Sequence, residues 1–319
     1  MKRIMVTGAL GQIGSELTQN LRKIYGVDNV LCTNIDRQEM DVVNQGPFEI
    51  LDVKDGKRMS ELVRNNKIDT IIHLAAILSG VGEKNPKLAW EVNMYGLYNV
   101  LEVAREEKCA VFTPSSIAAF GDTTPFDNTP QDTIQRPSTM YGVTKVAGEN
   151  LSDYYHMKYG VDTRGVRYPG IISHTTLPGG GTTDYAVHIY YEALKTGKFS
   201  CPIAKGTFMD MMYMPDALDA IVQLMEADGS KLKHRNAFNI SAMSFDPEII
   251  AAEIKKHIPK FEMTYDVNEV LQKIAMSWPN KMDDSAAREE WNWKPTYDLD
   301  KMTRDMLMNL QKRGIGSIK

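Results

Sequence analysis

Gly8-Ala9-Leu10-Gly11-Gln12-Ile13-Gly14 stands between an apolar run, Arg3–Thr7, and an amphipathic stretch, Gln12–Tyr25. A strand that turns straight into a helix needs residues without a Cβ at the corner. The helix's first N–H groups are left free there, and its dipole makes that end attractive to an anion. Gly8, Gly11 and Gly14, with Gln12 and Ile13 between them, therefore read as a loop that admits a pyrophosphate to the backbone. The spacing is GxxGxxG rather than GxGxxG. Three glycines alone could also serve a plain structural turn; their place at the first strand-to-helix junction favours the phosphate.

Outward from this loop the chain keeps alternating. Strand patterns cover Asn29–Ile35, Phe48–Leu51, Thr70–Ala75, Ala110–Thr113 and Thr163–Tyr168, and helical patterns cover Leu88–Glu107 and Tyr141–Tyr159. Thr70–Ala75 is nearly continuous in apolar residues, as suits a strand covered on both faces of a parallel sheet. The fold class predicted is α/β, a doubly wound parallel (Rossmann) sheet with a smaller, mostly C-terminal substrate-binding domain. Residues 1–172 make the dinucleotide-binding domain, with a returning segment near 213–243 that includes Ala237–Ile240. Residues 173–212 and 244–319 make the smaller domain, which opens on the loop Leu177-Pro178-Gly179-Gly180-Gly181.

Asp36 closes the second strand, where a carboxylate meets the adenosine ribose hydroxyls and repels a 2′-phosphate. The cofactor expected is therefore NAD rather than NADP. Arg37 beside it complicates this, because a guanidinium can hold that phosphate or simply be solvated. Asp52, followed by Val53, ends the third strand. Its carboxylate serves either an adenine amino group or a helix N-cap.

Composition narrows the partners. The 319 residues are 43% hydrophobic and 24% charged with net charge −4, so no basic surplus awaits nucleic acid. Cys32, Cys109 and Cys201 are widely spaced, the six histidines form no HExxH-like pair, and no metal is expected. No apolar run approaches bilayer length and the first residues carry no signal-peptide pattern, so a cytoplasmic protein without a membrane partner is expected.

Tyr-x-x-x-Lys occurs three times, at Tyr141/Lys145, Tyr154/Lys158 and Tyr191/Lys195. Four residues apart on a helix share one face. A tyrosine of ordinary pKa near 10 is a poor base at neutral pH, and a nearby ammonium favours its phenolate. Placement selects Tyr141/Lys145: this pair opens its helix after a polar loop, where strand C-termini and ligand meet. Ser116, which ends the preceding strand, is the third member and would hold a substrate oxygen. Ser115 is its rival, and either could be an ordinary turn serine.

Together, the glycine loop, Leu74-Ala75-Ala76, Asn93, Ser115-Ser116, Tyr141-Gly142-Val143-Thr144-Lys145, Arg167-Tyr168-Pro169-Gly170, Tyr213-Met214-Pro215-Asp216-Ala217 and Trp291-Asn292-Trp293-Lys294-Pro295 resemble the extended short-chain dehydrogenase/reductase superfamily. Pro178–Ala186, Leu78–Pro86 and Pro114–Gly121 resemble one branch, the short-chain-type L-threonine 3-dehydrogenases. The resemblance implies metal-independent oxidation of L-threonine to 2-amino-3-oxobutyrate with NAD+. That product either loses CO2 to give aminoacetone or is cleaved to glycine and acetyl-CoA, a functional link to a 2-amino-3-oxobutyrate CoA ligase.

The resemblance also adds site residues. Leu74, Ala75, Ala76, Val53, Asn93 and Tyr168 join the cofactor set, with Pro169 and Ile171 flanking the nicotinamide. Ser79 and Thr182-Thr183 contact the amino acid's polar ends, with Ser115, Ser116 and Tyr141 at its hydroxyl. Lys145 holds the ribose. The helices Leu88–Glu107 and Tyr141–Tyr159 imply a homodimer built on a four-helix bundle. The alternative on the same scaffold is an NAD-dependent nucleotide-sugar epimerase or dehydratase, with Lys195, Lys198 and Lys205 as diphosphate binders rather than solvated lysines.

Overall fold

Ile4–Thr7 is buried at every position and forms the central strand, β1, as its apolar run predicts. The computed structural model describes residues 1–316. After β1 come α1 (Gln12–Tyr25), β2 (Val30–Asn34), a one-turn α2 (Asp41–Asn44), β3 (Phe48–Ile50), α3 (Gly56–Asn65) and β4 (Thr70–His73). Then follow α4 (Ser79–Lys84), α5 (Pro86–Trp90), a π-helical turn Glu91–Tyr95, α6 (Gly96–Glu107), β5 (Ala110–Phe112) and β6 (Ser115–Ser116). α7 (Met140–Tyr159), β7 (Thr163–Arg164), β8 (Val166–Tyr168) and β9 (Gly170–Ile172) close the first half.

The second half runs α8 (Tyr185–Lys195), β10 (Lys198–Cys201), β11 (Met209–Tyr213), α9 (Met214–Glu226), β12 (Phe238–Asn239) and β13 (Met243–Phe245). It ends with α10 (Pro247–His257), β14 (Glu262–Tyr265), α11 (Glu269–Met276), α12 (Ser285–Trp291) and α13 (Leu299–Lys312).

The main sheet has the order β3-β2-β1-β4-β5-β7, and every pairing in it is parallel. The order reverses direction beside β1, so a crevice opens between the C-terminal ends of β1 and β4. The fold is thus the Rossmann-type α/β sheet read from the alternation.

Three details depart from the linear reading. The long helix predicted over Leu88–Glu107 starts at Pro86 and is interrupted by the π turn. The strand predicted over Thr163–Tyr168 splits at Gly165, where a Cβ would strike Thr113 O and lie 2.9 Å from Asn236 O. β7 therefore stays in the main sheet, while β8 pairs with β6 and with β12; the strand expected near Ala237–Ile240 forms as β12, but it joins this separate sheet and not the main one. Third, α3 carries no label in the alternation, and its N-cap is Asp55, which accepts from Arg58 N, rather than Asp52.

Two large cores divide the second half. One gathers Ile172, α8, β11, α10 and the buried face of α13, including Met302, Met306 and Leu310. The other lies against the main sheet and takes in α9 together with Ala286, Ala287, Trp291 and Trp293. The segment Ser285–Trp293, placed by sequence with the smaller domain, thus packs on the sheet side. Cys32, Cys109 and Cys201 are buried free thiols. Among the described residues no helix is long and apolar enough to cross a membrane.

Candidate active site

A cleft with about 1150 Å³ of empty space opens at the strand C-termini. Gly8, Gly11, Gln12, Ile13 and Gly14 line one wall with Leu74 and Ala76. The three glycines do different jobs. Gly8 has φ +66°, and a Cβ there would lie 2.7 Å from Ala75 N; Ala75 is thus packed behind the loop. A Cβ on Gly14 would strike Gly8 O and lie 2.8 Å from Ala9 Cα. Gly11 is different: its Cβ would meet only Gly8 O, at 3.4 Å. Gly11 is also the N-cap of α1, and no side chain caps that helix. An open, uncapped helix N-terminus without a Cβ in the way is what a pyrophosphate requires, so these residues fit a dinucleotide.

The residues expected around the adenosine lie outside the cleft lining. Asp36 is exposed and accepts from Asn34 Nδ2 at 2.6 Å and Gln38 Nε2 at 3.2 Å. Arg37 is exposed and places its guanidinium 5.4 Å from the Phe48 ring centroid. Asp52 accepts from Lys54 N at 2.9 Å, an Asx-type turn, and neither side chain nor position makes it a helix cap. Val53 is buried against Gly96, leaving only its backbone to meet a ligand.

Asn93 acts differently from a ligand contact. Its side chain accepts from Ile77 N at 2.7 Å and donates to Ile77 O at 3.1 Å and Thr144 Oγ1 at 3.0 Å. Both donor hydrogens are used, so Asn93 clamps the segment after β4 to α7 beside the cleft. Tyr168 likewise spends its hydroxyl on Ala217 O at 2.5 Å, so only its other atoms line the cleft with Pro169 and Ile171.

Ser116, Tyr141 and Lys145 all line the same cleft. Thr139 caps α7 by accepting from Gly142 N, which sets Tyr141 in the helix's first turn. Lys145 Nζ sits 5.2 Å from the Tyr141 ring centroid and donates to Pro114 O at 2.7 Å. Burial pushes the Tyr141 hydroxyl up to about 12, a shift its hydrogen bond with Ser116 opposes. Burial pushes the Lys145 ammonium down to about 8, opposed by the Glu149 carboxylate. The other two Tyr-x-x-x-Lys pairs do not line the cleft. Lys158 Nζ donates to Tyr154 Oη at 2.6 Å on the exposed side of α7, and Lys195 lies 5.7 Å from the Tyr191 ring.

The two serines part company. Ser115 is buried, and its hydroxyl donates to Glu149 in a short hydrogen bond. Glu149 also accepts from Arg167 Nε at 3.0 Å, Arg167 Nη2 at 2.8 Å and Gln135 Nε2 at 2.8 Å. Ser115 is therefore an anchor of β6 rather than a free substrate donor, and Ser116 faces Tyr141. Glu149 lies one turn beyond Lys145 on the same helix face; that spacing was the signal that could have found it. His73, at the end of β4, bonds Thr7 Oγ1 at 2.8 Å, and burial with the Lys145 charge pushes its ring down to about 3. It is a neutral buried side chain.

Ser79, Thr182 and Thr183 line the far end of the cleft. Ser79 opens α4, and a Cβ on neighbouring Gly80 would lie 2.9 Å from Gly180 O, so α4 and the triple-glycine loop touch. Asp184 fixes that loop by accepting from Gly180 N and Gly181 N at 2.9 and 2.6 Å. Thr182 is buried, and its Oγ1 has no hydrogen-bond partner among the described residues. Trp278 closes this end, packed with Ile117, Phe120 and Met282. It comes from the segment after α11, and no spacing in the sequence points to it. Among the residues lining the cleft, Lys145 is the one cation.

A Rossmann sheet with a glycine loop on its crevice and a Ser-Tyr-Lys set across from it defines a nicotinamide-dependent class. Residues 4–241 match the NAD dependent epimerase/dehydratase family, and the chain belongs to that family. An uncharacterized epimerase/dehydratase of Staphylococcus saprophyticus is 58% identical to it over 100% of both chains. Among solved structures it is similar to the L-threonine dehydrogenase of Clostridium difficile, with TM-score 0.98 and 62% identity over 99% of each chain. It is also similar to the L-threonine dehydrogenase of Phytophthora infestans, with TM-score 0.94 and 48% identity over 98% of this chain and 100% of the other.

Proposed function

We propose that this chain is an NAD-dependent L-threonine 3-dehydrogenase, oxidising L-threonine to 2-amino-3-oxobutyrate without a metal. The observation that carries the substrate class is the charge of the cleft. A nucleotide-sugar brings a second diphosphate and calls for several cations, yet Lys145 alone lines the cleft among the described residues. Lys195, Lys198 and Lys205 instead approach Glu192, Glu262 and Glu248 at 3.9, 3.3 and 3.7 Å. A small zwitterion needs little more than the hydroxyls of Ser79 and Thr182, and Thr182 Oγ1 has a bond to spare.

NAD+, when bound, supplies the hydride acceptor. Gly8–Gly14 and Asp36 would hold its pyrophosphate and ribose, with Pro169 and Ile171 beside the reactive ring. Ser116 orients the threonine hydroxyl. Tyr141 takes its proton as the adjacent carbon gives up hydride. The Lys145 ammonium favours the phenolate of Tyr141, and a cationic ring nearby acts in the same direction.

The test is NADH formation with L-threonine, set against L-serine, 3-hydroxybutyrate, and UDP- and dTDP-sugars. Accumulation of NADH with threonine is the expected result. Conversion of a nucleotide-sugar with the cofactor recycled, and no NADH from threonine, overturns the assignment. Tyr141→Phe should lower kcat by at least about 100-fold while NAD+ binding, followed by calorimetry, is retained.

The assembly proposed is a homodimer. α6, α7 and the turn before α6 leave Tyr95, Tyr98, Val143, Tyr154 and Met157 exposed, apolar side chains that a second copy would cover. Sedimentation equilibrium at micromolar concentration should report twice the chain mass, and Tyr98→Glu should shift it toward the single chain.

A further inference from the structure

Glu253 and His257 stand four residues apart on α10 and share one face of it. Asp300 lies in the first turn of α13, which packs against α10. One ligand-capable atom from each of the three lies within 4.8 Å of the other two. Glu253 is only 7% exposed. Its Oε1 and His257 Nε2 are sealed from solvent and have no hydrogen-bond partner among the described residues. A buried carboxylate oxygen and a buried ring nitrogen without partners are costly, because each has given up its hydrogen bonds to water. Native folds seldom tolerate such a pair unless something else satisfies them.

We propose that Glu253, His257 and Asp300 bind a divalent transition metal of the zinc class. Two carboxylates and one imidazole make a mixed oxygen–nitrogen set. Calcium and magnesium take oxygen shells, whereas zinc accepts both donor types. Ligand bonds of about 2.0–2.2 Å would draw the three atoms closer than the 4.8 Å that bounds them now, a change within reach of side-chain rotation. Lys256 approaches Glu253 Oε2 at 2.6 Å, and Arg304 pairs with Asp300 Oδ2. Those cations presently balance the carboxylates. Their side chains are 65% and 59% exposed, so both can swing into water when a metal arrives.

The site lies in the second core, away from the cleft. Its metal would staple α10 to α13, and both helices pack on α8, which follows directly from the Thr182–Asp184 end of the cleft. The role is structural. The linear sequence hides it, since the third ligand comes from a different helix.

The test is calorimetric titration of the full chain, freed of metals with EDTA and dialysed, with zinc chloride. A single saturable zinc per chain and a raised thermal midpoint are expected. Asp300→Asn, at an exposed position that leaves the fold intact, and His257→Gln should each weaken binding at least tenfold. The absence of saturable binding, or an affinity in both variants unchanged from that of the unsubstituted chain, overturns the proposal; the latter would place zinc on other groups such as the thiols. Far-ultraviolet circular dichroism of each variant confirms that a lost isotherm reports lost ligands and not a lost fold.

Discussion

Lys145 Nζ donates a 2.7 Å hydrogen bond to the carbonyl of Pro114, the residue just before Ser115-Ser116. The same ammonium that supports Tyr141 therefore also fixes the strand end carrying Ser116. Burial holds it down to about 8, against an unfolded value near 10.5, and this has a consequence for stability. Below pH 8 the lysine is protonated in both states and the full desolvation cost is present. Between pH 8 and 10.5 the unfolded chain binds the proton that the folded chain has released, so this group's contribution rises with pH. Lys145→Met should stabilise the chain at pH 7 by ~1–2 kcal/mol after the loss of the Pro114 bond. The gain should shrink toward pH 10.5. Urea denaturation at pH 7 and pH 10 measures both, and a variant no more stable at pH 7 contradicts the argument.

The glycine loop makes a sharper distinction. Gly11→Ala meets only Gly8 O at 3.4 Å, whereas Gly14→Ala collides with the backbone of Gly8 and Ala9. Gly11→Ala should therefore fold with a stability change under about 1 kcal/mol yet bind NAD+ at least tenfold more weakly. Gly14→Ala should lose stability outright. Thermal melts with and without NAD+ separate the two.

Thr182→Val removes the buried hydroxyl that has no partner in the chain. Stability should stay level or rise by up to about 1 kcal/mol, because an unsatisfied group is lost. The KM for L-threonine should rise at least tenfold if that hydroxyl meets the substrate. Steady-state kinetics alongside a melting curve is the measurement; an unchanged KM would remove Thr182 from the site.

Glu149 and Arg167 are a buried ion pair, each side chain under 8% exposed, tied also to Ser115. Removing one charge strands the other, at a cost of about 3–5 kcal/mol. Arg167→Met should show that loss in urea, with activity falling because β6 loses its anchor. The double variant Glu149→Leu/Arg167→Met should recover part of the stability, and a double variant as weak as the single one would rule out charge stranding.

The alternation of strands and helices, the glycine loop and the Tyr141/Lys145 pair were all legible in the sequence, because each rests on local geometry. Side-chain period follows from backbone rise and turn, a corner glycine follows from sterics, and residues four apart on a helix must share a face. Contacts between distant segments had no such local cause. The sequence favoured Ser116 over Ser115 without a contact to separate them, and the structure turns Ser115 toward Glu149. It gave Asn93 to the ligand, whereas folding spends that side chain on Ile77 and Thr144. It assigned Ser285–Trp293 to the smaller domain, whereas Trp291 and Trp293 bury against the main sheet. Trp278 reaches the cleft, and Asp300 reaches Glu253 and His257, from segments far along the chain. Such meetings depend on which apolar faces cover which, a property of the whole packed chain rather than of any stretch of it.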